Sequence, residues 1–136
     1  MSEKAQDYQI RVFYEDTDAG GMVYHANYLK FFERARTEWL RALSIDQSVF
    51  LEQNTGFVVT KVEMSNLASA RLDDLLTVSS QVIELKRASI LFSQQITNDK
   101  KKLLCKVSVR VACVNLATAK PCAIPNTILG ALKSVV

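Results

Sequence analysis

Apolar and polar side chains alternate with a period of two near the start of the chain and again through most of its second half. Residues 8–15 alternate in this way, which is typical of a half-buried strand. Residues 57–67, 75–85, 89–97 and 103–115 are rich in β-branched and aliphatic side chains, and the last three ranges alternate clearly. The interruptions at 86–88 and 98–100 are short enough for hairpins, so the pattern predicts an antiparallel meander.

Between about residues 28 and 43 the period becomes helical, with apolar side chains on an arc of about 180°. That arc is broader than a surface helix needs, so it predicts a helix around which a curved sheet wraps. Arg36 lies inside the arc, and we expect it to need a carboxylate partner, with Glu33 the nearest candidate. A short helix is predicted over residues 125–132, with Pro125 in its first turn. One strand, one long buried helix and four long strands define an α+β fold of the hotdog type, a central helix wrapped by a curved five-stranded antiparallel sheet.

Length and composition indicate one globular domain over residues 1–136, with 49% apolar and 23% charged residues. The net charge of +3 is dispersed, which favours an anionic ligand over nucleic acid. The opening residues lack the apolar segment of a secretory signal, and no apolar run reaches the roughly 18 residues of a membrane span.

The three cysteines are odd in number and have no CxxC spacing, and two of them, on one strand, would lie roughly 26 Å apart. Free thiols favour a reducing compartment, so we expect a cytoplasmic protein. A single histidine leaves too few ligands for a metal site, and no cofactor is expected.

Residues 14–28 hold the candidate chemistry: Asp18, the pair Gly20-Gly21 and His25, followed at once by the predicted helix. A carboxylate serves as nucleophile or general base, and the free N–H groups of a helix N-terminus polarise a carbonyl. Each residue also has a purely structural interpretation, since aspartate and glycine are common in turns and a histidine is readily satisfied near a helix start. No Gly-x-Ser-x-Gly motif exists, which argues against a serine hydrolase.

The run from Val12 to Tyr28 resembles the signature of the 4-hydroxybenzoyl-CoA thioesterase branch of hotdog proteins, and more narrowly that of the Tol–Pal-associated acyl-CoA thioesterases of Gram-negative bacteria. Residues 32–38, 70–74 and 113–114 extend the likeness to nearly the whole chain. The resemblance implies an acyl-CoA thioesterase in which Asp18 is the catalytic carboxylate, His25 assists, and the backbone N–H of His25 polarises the thioester carbonyl. It also implies a homodimer or dimer of dimers, with the site at a subunit interface.

Substrate contacts are assigned to two groups of residues. The acyl side comprises Tyr14, Gly21, Tyr24 and Tyr28, although packing is the commoner role of such tyrosines. The phosphates of CoA need cations, for which the candidates are Arg71, Lys86 and Arg87. The acyl length, the carrier (CoA or acyl carrier protein) and the role of Asp18 as nucleophile or base stay open. Two other functions on this fold are a hydroxyacyl-thioester dehydratase and a non-catalytic module that binds acyl-CoA or acyl carrier protein.

Overall fold

A curved antiparallel sheet surrounds one long helix in the computed structural model, which describes residues 5–136. The sheet order is β1-β3-β4-β5-β2, and the short β6 pairs with the end of β5. This architecture confirms the predicted α+β fold. The elements are the strands β1 (Ala5–Arg11), β2 (Thr55–Asn66), β3 (Leu75–Leu85), β4 (Ser89–Thr97), β5 (Leu103–Asn115) and β6 (Lys120–Pro121), and the helices α1 (His25–Ala42), α2 (Gln47–Glu52) and α3 (Asn126–Lys133).

The bounds of β3, β4 and β5 match the sequence pattern, whereas β1 and α1 differ from it. The first strand ends at Arg11 rather than residue 15, because residues 14–16 form a 3-10 turn. The helix begins at His25, three residues before its amphipathic pattern starts. The short elements α2 and β6 were not predicted. The expectation about a secretory signal concerns an opening segment that lies partly in residues 1–4, outside the described residues.

The core lies between α1 and the concave face of the sheet. Alternate residues of β3, β4 and β5 are buried, as the two-residue period predicted. Helix α1 buries Phe31, Phe32, Ala35 and Trp39 against them, and the ring of Trp39 meets Phe92 edge-on at 5.5 Å between centroids. Burial of such a stripe holds the helix in place, since each large apolar side chain removed from water contributes about 1.5–3 kcal/mol. The rigid core therefore fixes the position of the helix start.

Helix α1 packs against β3 and β1, at one side of the sheet, while β2 forms the edge at the other side. On β2, Val59 and Val62 pair with Val111 and Val109 of β5, whose side chains are buried beneath the helix. Cross-strand partners project to the same face of a sheet. Val59 and Val62 nevertheless remain 49% and 40% exposed in the single chain. The β2 half of the concave face is thus apolar and incompletely covered.

The prediction that Arg36 has a carboxylate partner, with Glu33 the nearest candidate, is wrong. The guanidinium donates from Nη1 to Oε1 of Gln94 at 2.9 Å, and the Glu33 carboxylate instead accepts from the hydroxyl of Thr37. Burial lowers the pKa of Arg36, and the charge of Glu33 offsets that effect in part. A neutral amide on β4 therefore replaces the expected carboxylate, because the helix turns Arg36 towards the sheet while Glu33 stays exposed.

No helix within residues 5–136 is long and apolar enough to cross a membrane.

Candidate active site

Asp16 ties the end of the first strand to the start of α1. Its side chain is only 6% exposed. One carboxylate oxygen accepts from the backbone N–H of Phe13 at 2.8 Å, and the other accepts from Nδ2 of Asn27 at 3.0 Å. Its backbone carbonyl accepts from the N–H of Tyr24. Asp16 thus fixes the 3-10 turn, the residue before the helix and the first turn of the helix relative to one another.

Asp18 lies two residues further on, in an exposed turn. Its Oδ1 accepts from the backbone N–H of Gly20 at 2.8 Å and of Met22 at 3.3 Å, so the turn orients the carboxylate. No hydrogen bond to Oδ2 is present among residues 5–136. Gly21 adopts a φ of 77°, a left-handed conformation that favours glycine. The turn therefore holds one carboxylate oxygen and leaves the other open to solvent or substrate.

Helix α1 begins without a side-chain cap and with no acidic residue in its first turn. The preceding residue, Tyr24, is extended, and the N–H of Asn27 bonds back to its carbonyl. Within the described part of the chain the backbone N–H groups of His25 and Ala26 have no acceptor. Uncapped N–H groups at the positive end of a helix dipole attract an oxyanion. This helix start can therefore stabilise the negative charge that develops on a carbonyl oxygen.

The side chain of His25 is exposed and lies against the ring of Tyr24, with 4.7 Å between ring centroids. It borders a groove of about 230 Å³ between the helix start and the segment that follows β2; the lining residues are Val23, His25, Tyr28, Asn66, Leu67, Ala68 and Ser69. The described residues contain no hydrogen bond between His25 and Asp18. The histidine thus faces the groove as a side chain free to contact a ligand.

Tyr28 forms a wall of this groove. It is 3% exposed, and its hydroxyl oxygen accepts from the backbone N–H of Ala70 at 2.9 Å. Burial raises the pKa of Tyr28, which keeps the phenol neutral. Tyr14 and Tyr24 are instead 81% and 50% exposed, on the two sides of the Asp18 turn.

Arg71 lies beside the Asp18 turn, whereas Lys86 and Arg87 do not. Arg71 forms a β-bridge with Met22, and the following residue, Leu72, donates its N–H to the carbonyl of Gly21. Lys86 and Arg87 follow the far end of β3, about 33 Å along that strand from Leu75. Their assignment to CoA binding stays a prediction.

The cysteine thiols are poor candidates for a nucleophile. Burial raises the pKa of Cys105 to about 11 and that of Cys113 to about 12, and a contact with the Cys122 sulfur at 3.5 Å adds to the second shift. A thiol must ionise to attack a carbonyl. Asp18 is therefore the more suitable reactive group near the helix start.

Sequence reasoning missed several residues that build the site. Asn27 anchors Asp16 and Met22 anchors Asp18, although both belong to the motif between residues 12 and 28. Residues 66–69 close the groove from a distant part of the chain. The spacing of Asn27 from Asp16 gave no local signal, because their contact depends on the turn between them.

Comparisons with known proteins identify the family of this chain. The family model of the thioesterase-like superfamily matches residues 12–132. Acyl-CoA thioesterase YbgC of Haemophilus influenzae is 48% identical over 132 residues, which cover 96% of each chain. Acyl-CoA thioester hydrolase YbgC of Escherichia coli strain CFT073 is 43% identical over 124 residues, covering 91% of this chain and 92% of that relative. The crystal structure of a probable thioesterase from Bartonella henselae superposes with a TM-score of 0.83 at 34% identity, covering 89% of this chain and 99% of that one.

The curved sheet around one long helix, together with these matches, defines the class as hotdog-fold thioesterases. The chain belongs to the thioesterase-like superfamily, and the predicted enzyme class, a thioester hydrolase, is confirmed. The resemblance to the acyl-CoA thioesterases is confirmed with it. The site residues and the cytoplasmic location stay predictions.

Proposed function

We propose that this protein hydrolyses acyl-CoA thioesters to a free acid and CoA, with Asp18 as nucleophile or general base. The observation that supports this proposal is the position of the exposed Asp18 carboxylate. Its Oδ1 accepts hydrogen bonds from the backbone N–H groups of Gly20 and Met22, and its Oδ2 has no hydrogen-bond partner among the described residues. The names of the Haemophilus and Escherichia relatives support acyl-CoA as the substrate.

In this mechanism the thioester carbonyl lies at the start of α1, where the N–H groups of His25 and Ala26 stabilise the developing oxyanion. Asp18 either attacks the carbonyl carbon directly or removes a proton from the attacking water. The C–S bond then breaks, and the CoA thiolate departs without strong acid assistance. On the direct route this leaves a mixed anhydride of the acyl group and Asp18, which water hydrolyses to the free acid and the Asp18 carboxylate. Such a site needs only a carboxylate and an oxyanion donor, so the absence of a serine nucleophile is no obstacle.

His25 orients the attacking water or donates a proton to the leaving thiolate. Its exposed ring borders the groove beside the helix start, and histidine is the side chain whose charge changes most readily near neutral pH. Arg71, next to the Asp18 turn, is the candidate cation for a phosphate of CoA. Tyr14, Gly21, Tyr24 and Tyr28 surround the acyl end of the substrate in this proposal.

Hydrolysis of an acyl-CoA series from short to long and aromatic chains tests the activity, with acyl carrier protein thioesters as a second carrier. Asp18→Asn should abolish most of the turnover. Asp99→Asn, in an exposed turn between β4 and β5, is the matched control and should leave turnover unchanged. Formation of an enoyl product, or binding without turnover, would contradict the proposal.

A single turnover in ¹⁸O-labelled water separates the two roles of Asp18. If Asp18 is the nucleophile and water attacks the Asp18 carbonyl of the anhydride, the product acid takes its new oxygen from the carboxylate, and the label appears in Asp18. If Asp18 is a general base, no label enters Asp18 and all of it appears in the acid. Label in Asp18 therefore identifies the nucleophilic route, and trapping of the anhydride with hydroxylamine tests for attack of water on the acyl side.

We also propose that the active form is a homodimer or a dimer of dimers, with each site drawing on two chains. Support comes from the edge position of β2, since an uncovered strand edge favours pairing with another strand. The half-exposed valines beside that edge add apolar surface for such a contact. Sedimentation at assay concentration tests this, and an active monomer of 15.2 kDa would contradict it.

A further inference from the structure

Two of the three cysteine thiols lie side by side at one end of the sheet. Sγ of Cys113, on β5, is 3.5 Å from Sγ of Cys122, which follows β6. Cys113 is fully buried, whereas Cys122 is partly exposed, and both are free thiols. Bonded sulfurs are about 2.05 Å apart, so these two atoms need to approach by only about 1.5 Å to form a disulfide.

The backbone places the two cysteines directly opposite each other. Val114 of β5 pairs with Pro121 of β6 in an antiparallel register. One position further along, the N–H of Cys122 donates to the carbonyl of Cys113 at 2.9 Å and extends that register. Opposite residues of antiparallel strands have Cα atoms about 4.5–5.5 Å apart and side chains on the same face. Disulfides span Cα distances of about 4.4–6.8 Å, so the backbone already has the required spacing.

The third thiol, Cys105, is isolated. It is also fully buried and lies on β5, but it precedes Cys113 by eight residues, which is roughly 26 Å along a strand. Its Sγ is 3.4 Å from Oδ1 of Asn66. Within residues 5–136 the cysteines therefore divide into one close pair and one thiol with no cysteine in reach.

The two members of the pair differ in their access to solvent. Burial raises the pKa of Cys113 to about 12, and the contact with Cys122 adds to that shift. A buried thiol that stays protonated reacts slowly, so a reagent in solution meets Cys122 first. Modification of Cys122 removes its contribution to the pKa of Cys113 and leaves an electrophilic sulfur beside it. An attack between groups already in contact is strongly favoured over a reaction between separate molecules.

We propose that Cys113 and Cys122 form a thiol–disulfide exchange site, which a low-molecular-weight disulfide oxidises to a cross-strand disulfide within one chain. With glutathione disulfide, the Cys122 thiolate attacks one sulfur, the S–S bond breaks, and one glutathione thiolate leaves. The Cys113 thiol loses its proton to water, and its sulfur attacks Sγ of Cys122 and displaces the second glutathione. Two cysteine thiols are thus oxidised, one glutathione disulfide is reduced to two thiols, and the two cysteine protons end on the two glutathione sulfurs.

This bond would fasten the C-terminal segment to the sheet. Cys122 begins the stretch that leads to α3, and the N–H of Ile124 in this stretch donates to the carbonyl of Arg87 at 2.8 Å. Helix α3 then buries Ile128 and Leu132 in the core. A cross-link lowers the conformational entropy of the unfolded chain. The oxidised protein should therefore hold this segment more firmly and unfold at a higher temperature than the reduced protein.

The test treats the full chain with glutathione disulfide and counts its free thiols after denaturation. We expect the count to fall from three to one per chain, with the chain still at 15.2 kDa on a non-reducing gel. Mass spectrometry of the digested protein should identify a peptide with Cys113 linked to Cys122. The midpoint of thermal unfolding should rise by about 5 °C, and a dithiol reductant should reverse the shift.

Three alanine variants test the order of the steps. Cys113→Ala should stop at the mixed disulfide, with one glutathione on Cys122. Cys122→Ala should keep both of its remaining thiols, because both are buried. Cys105→Ala is the matched control, a buried thiol outside the pair, and should still form the disulfide. The thiol count and the linked peptide of the unmodified protein test the inference even where a variant does not fold.

Three thiols that persist in the unmodified protein at excess glutathione disulfide would overturn the inference. A disulfide between two chains, or one that includes Cys105, would also overturn it. A Cys113–Cys122 bond that leaves the unfolding midpoint unchanged would overturn the proposed fastening of the C-terminal segment. These measurements do not depend on hydrolysis of acyl-CoA, so their outcome is independent of the proposed function.

Discussion

Two aspartates separated by one residue have opposite environments in the turn between β1 and α1. Asp16 is buried, and both of its carboxylate oxygens accept hydrogen bonds, one from the backbone of Phe13 and one from Asn27. Asp18 is exposed, and only its Oδ1 has partners, both of them backbone N–H groups of its own turn. The same side chain thus acts as a structural bridge at one position and as an oriented, accessible carboxylate at the other.

The hydrogen bonds of the two carboxylates distinguish a structural aspartate from a candidate catalytic one. A carboxylate whose oxygens are all engaged cannot attack a carbonyl or accept a proton from water without breaking the contacts that hold the fold. A carboxylate with one engaged oxygen is held in position and still has lone pairs to use. Asp16 therefore supports the site and Asp18 is the reacting group in our proposal, which matched substitutions can test.

The largest effect is expected from Asp18→Asn on turnover. Loss of the nucleophile or base should lower kcat on the order of 10²-fold or more, the usual scale for a positioned acid–base group. The free energy of unfolding should change by less than about 0.5 kcal/mol, because the side chain is exposed and the amide oxygen still accepts from the turn. Steady-state kinetics and urea denaturation measure the two quantities. A folded variant with near-normal turnover would remove Asp18 from the mechanism.

Asp16→Asn should show the opposite pattern. The substituted amide cannot accept at both oxygen positions, so one of the buried N–H donors of Phe13 or Asn27 loses its partner. We expect a loss of about 1–3 kcal/mol in the free energy of unfolding. The kcat of the folded protein should fall less than in Asp18→Asn. Urea denaturation measures the stability, and kinetics normalised to the concentration of active sites measure kcat. An unchanged midpoint of urea denaturation would mean that Asp16 does not link the 3-10 turn to the start of α1.

His25→Ala should have a smaller effect on turnover than Asp18→Asn, because His25 assists without attacking. We expect kcat to fall on the order of tenfold, and any limb of the pH–rate profile due to His25 to disappear. The stability should change little, since the ring is exposed. The pH–rate profile of the variant is the decisive measurement. If kcat and the profile are both unchanged, His25 has only a structural role.

The sequence predicted well those elements whose pattern is local and uninterrupted. The alternation in β3, β4 and β5 runs through most of each strand, and the structure has the bounds that the sequence predicted. The first strand ends early because Asp16 accepts from the N–H of Phe13 and closes a turn that alternation cannot reveal. Helix α1 begins before its amphipathic pattern because His25, Ala26 and Asn27 include no large apolar side chain.

The residues of the candidate site also differ in whether a local pattern could predict them. Asp18 and His25 lie within one short motif, so their type and spacing could be recognised from the residues alone. The wall formed by residues 66–69 comes from a distant segment, and only the pairing of β2 with β5 brings it to the helix start. The partner of Arg36 was mispredicted for a related reason, since Gln94 is 58 residues away and the local pattern offered only Glu33.

The smallest effect is expected from Gly21→Ala, which alters the backbone of the Asp18 turn without filling space. A Cβ at this position would meet nothing within 4 Å, but the φ of 77° is unfavourable for alanine. We expect a loss of about 1 kcal/mol in stability and a few-fold loss of kcat, because relaxation of the turn would shift the Met22 N–H that orients Asp18.

Gly130→Ala is the matched control for that change, since a Cβ there also meets nothing within 4 Å but the residue lies inside α3. It should raise stability by about 0.5–1 kcal/mol and leave kcat unchanged, because alanine is favoured over glycine in a helix interior. If urea denaturation shows that Gly21→Ala lowers the free energy of unfolding and Gly130→Ala raises it, the loss at Gly21 is due to backbone conformation alone. If both variants gain stability, the turn tolerates alanine, and the orientation of Asp18 does not depend on a glycine at position 21.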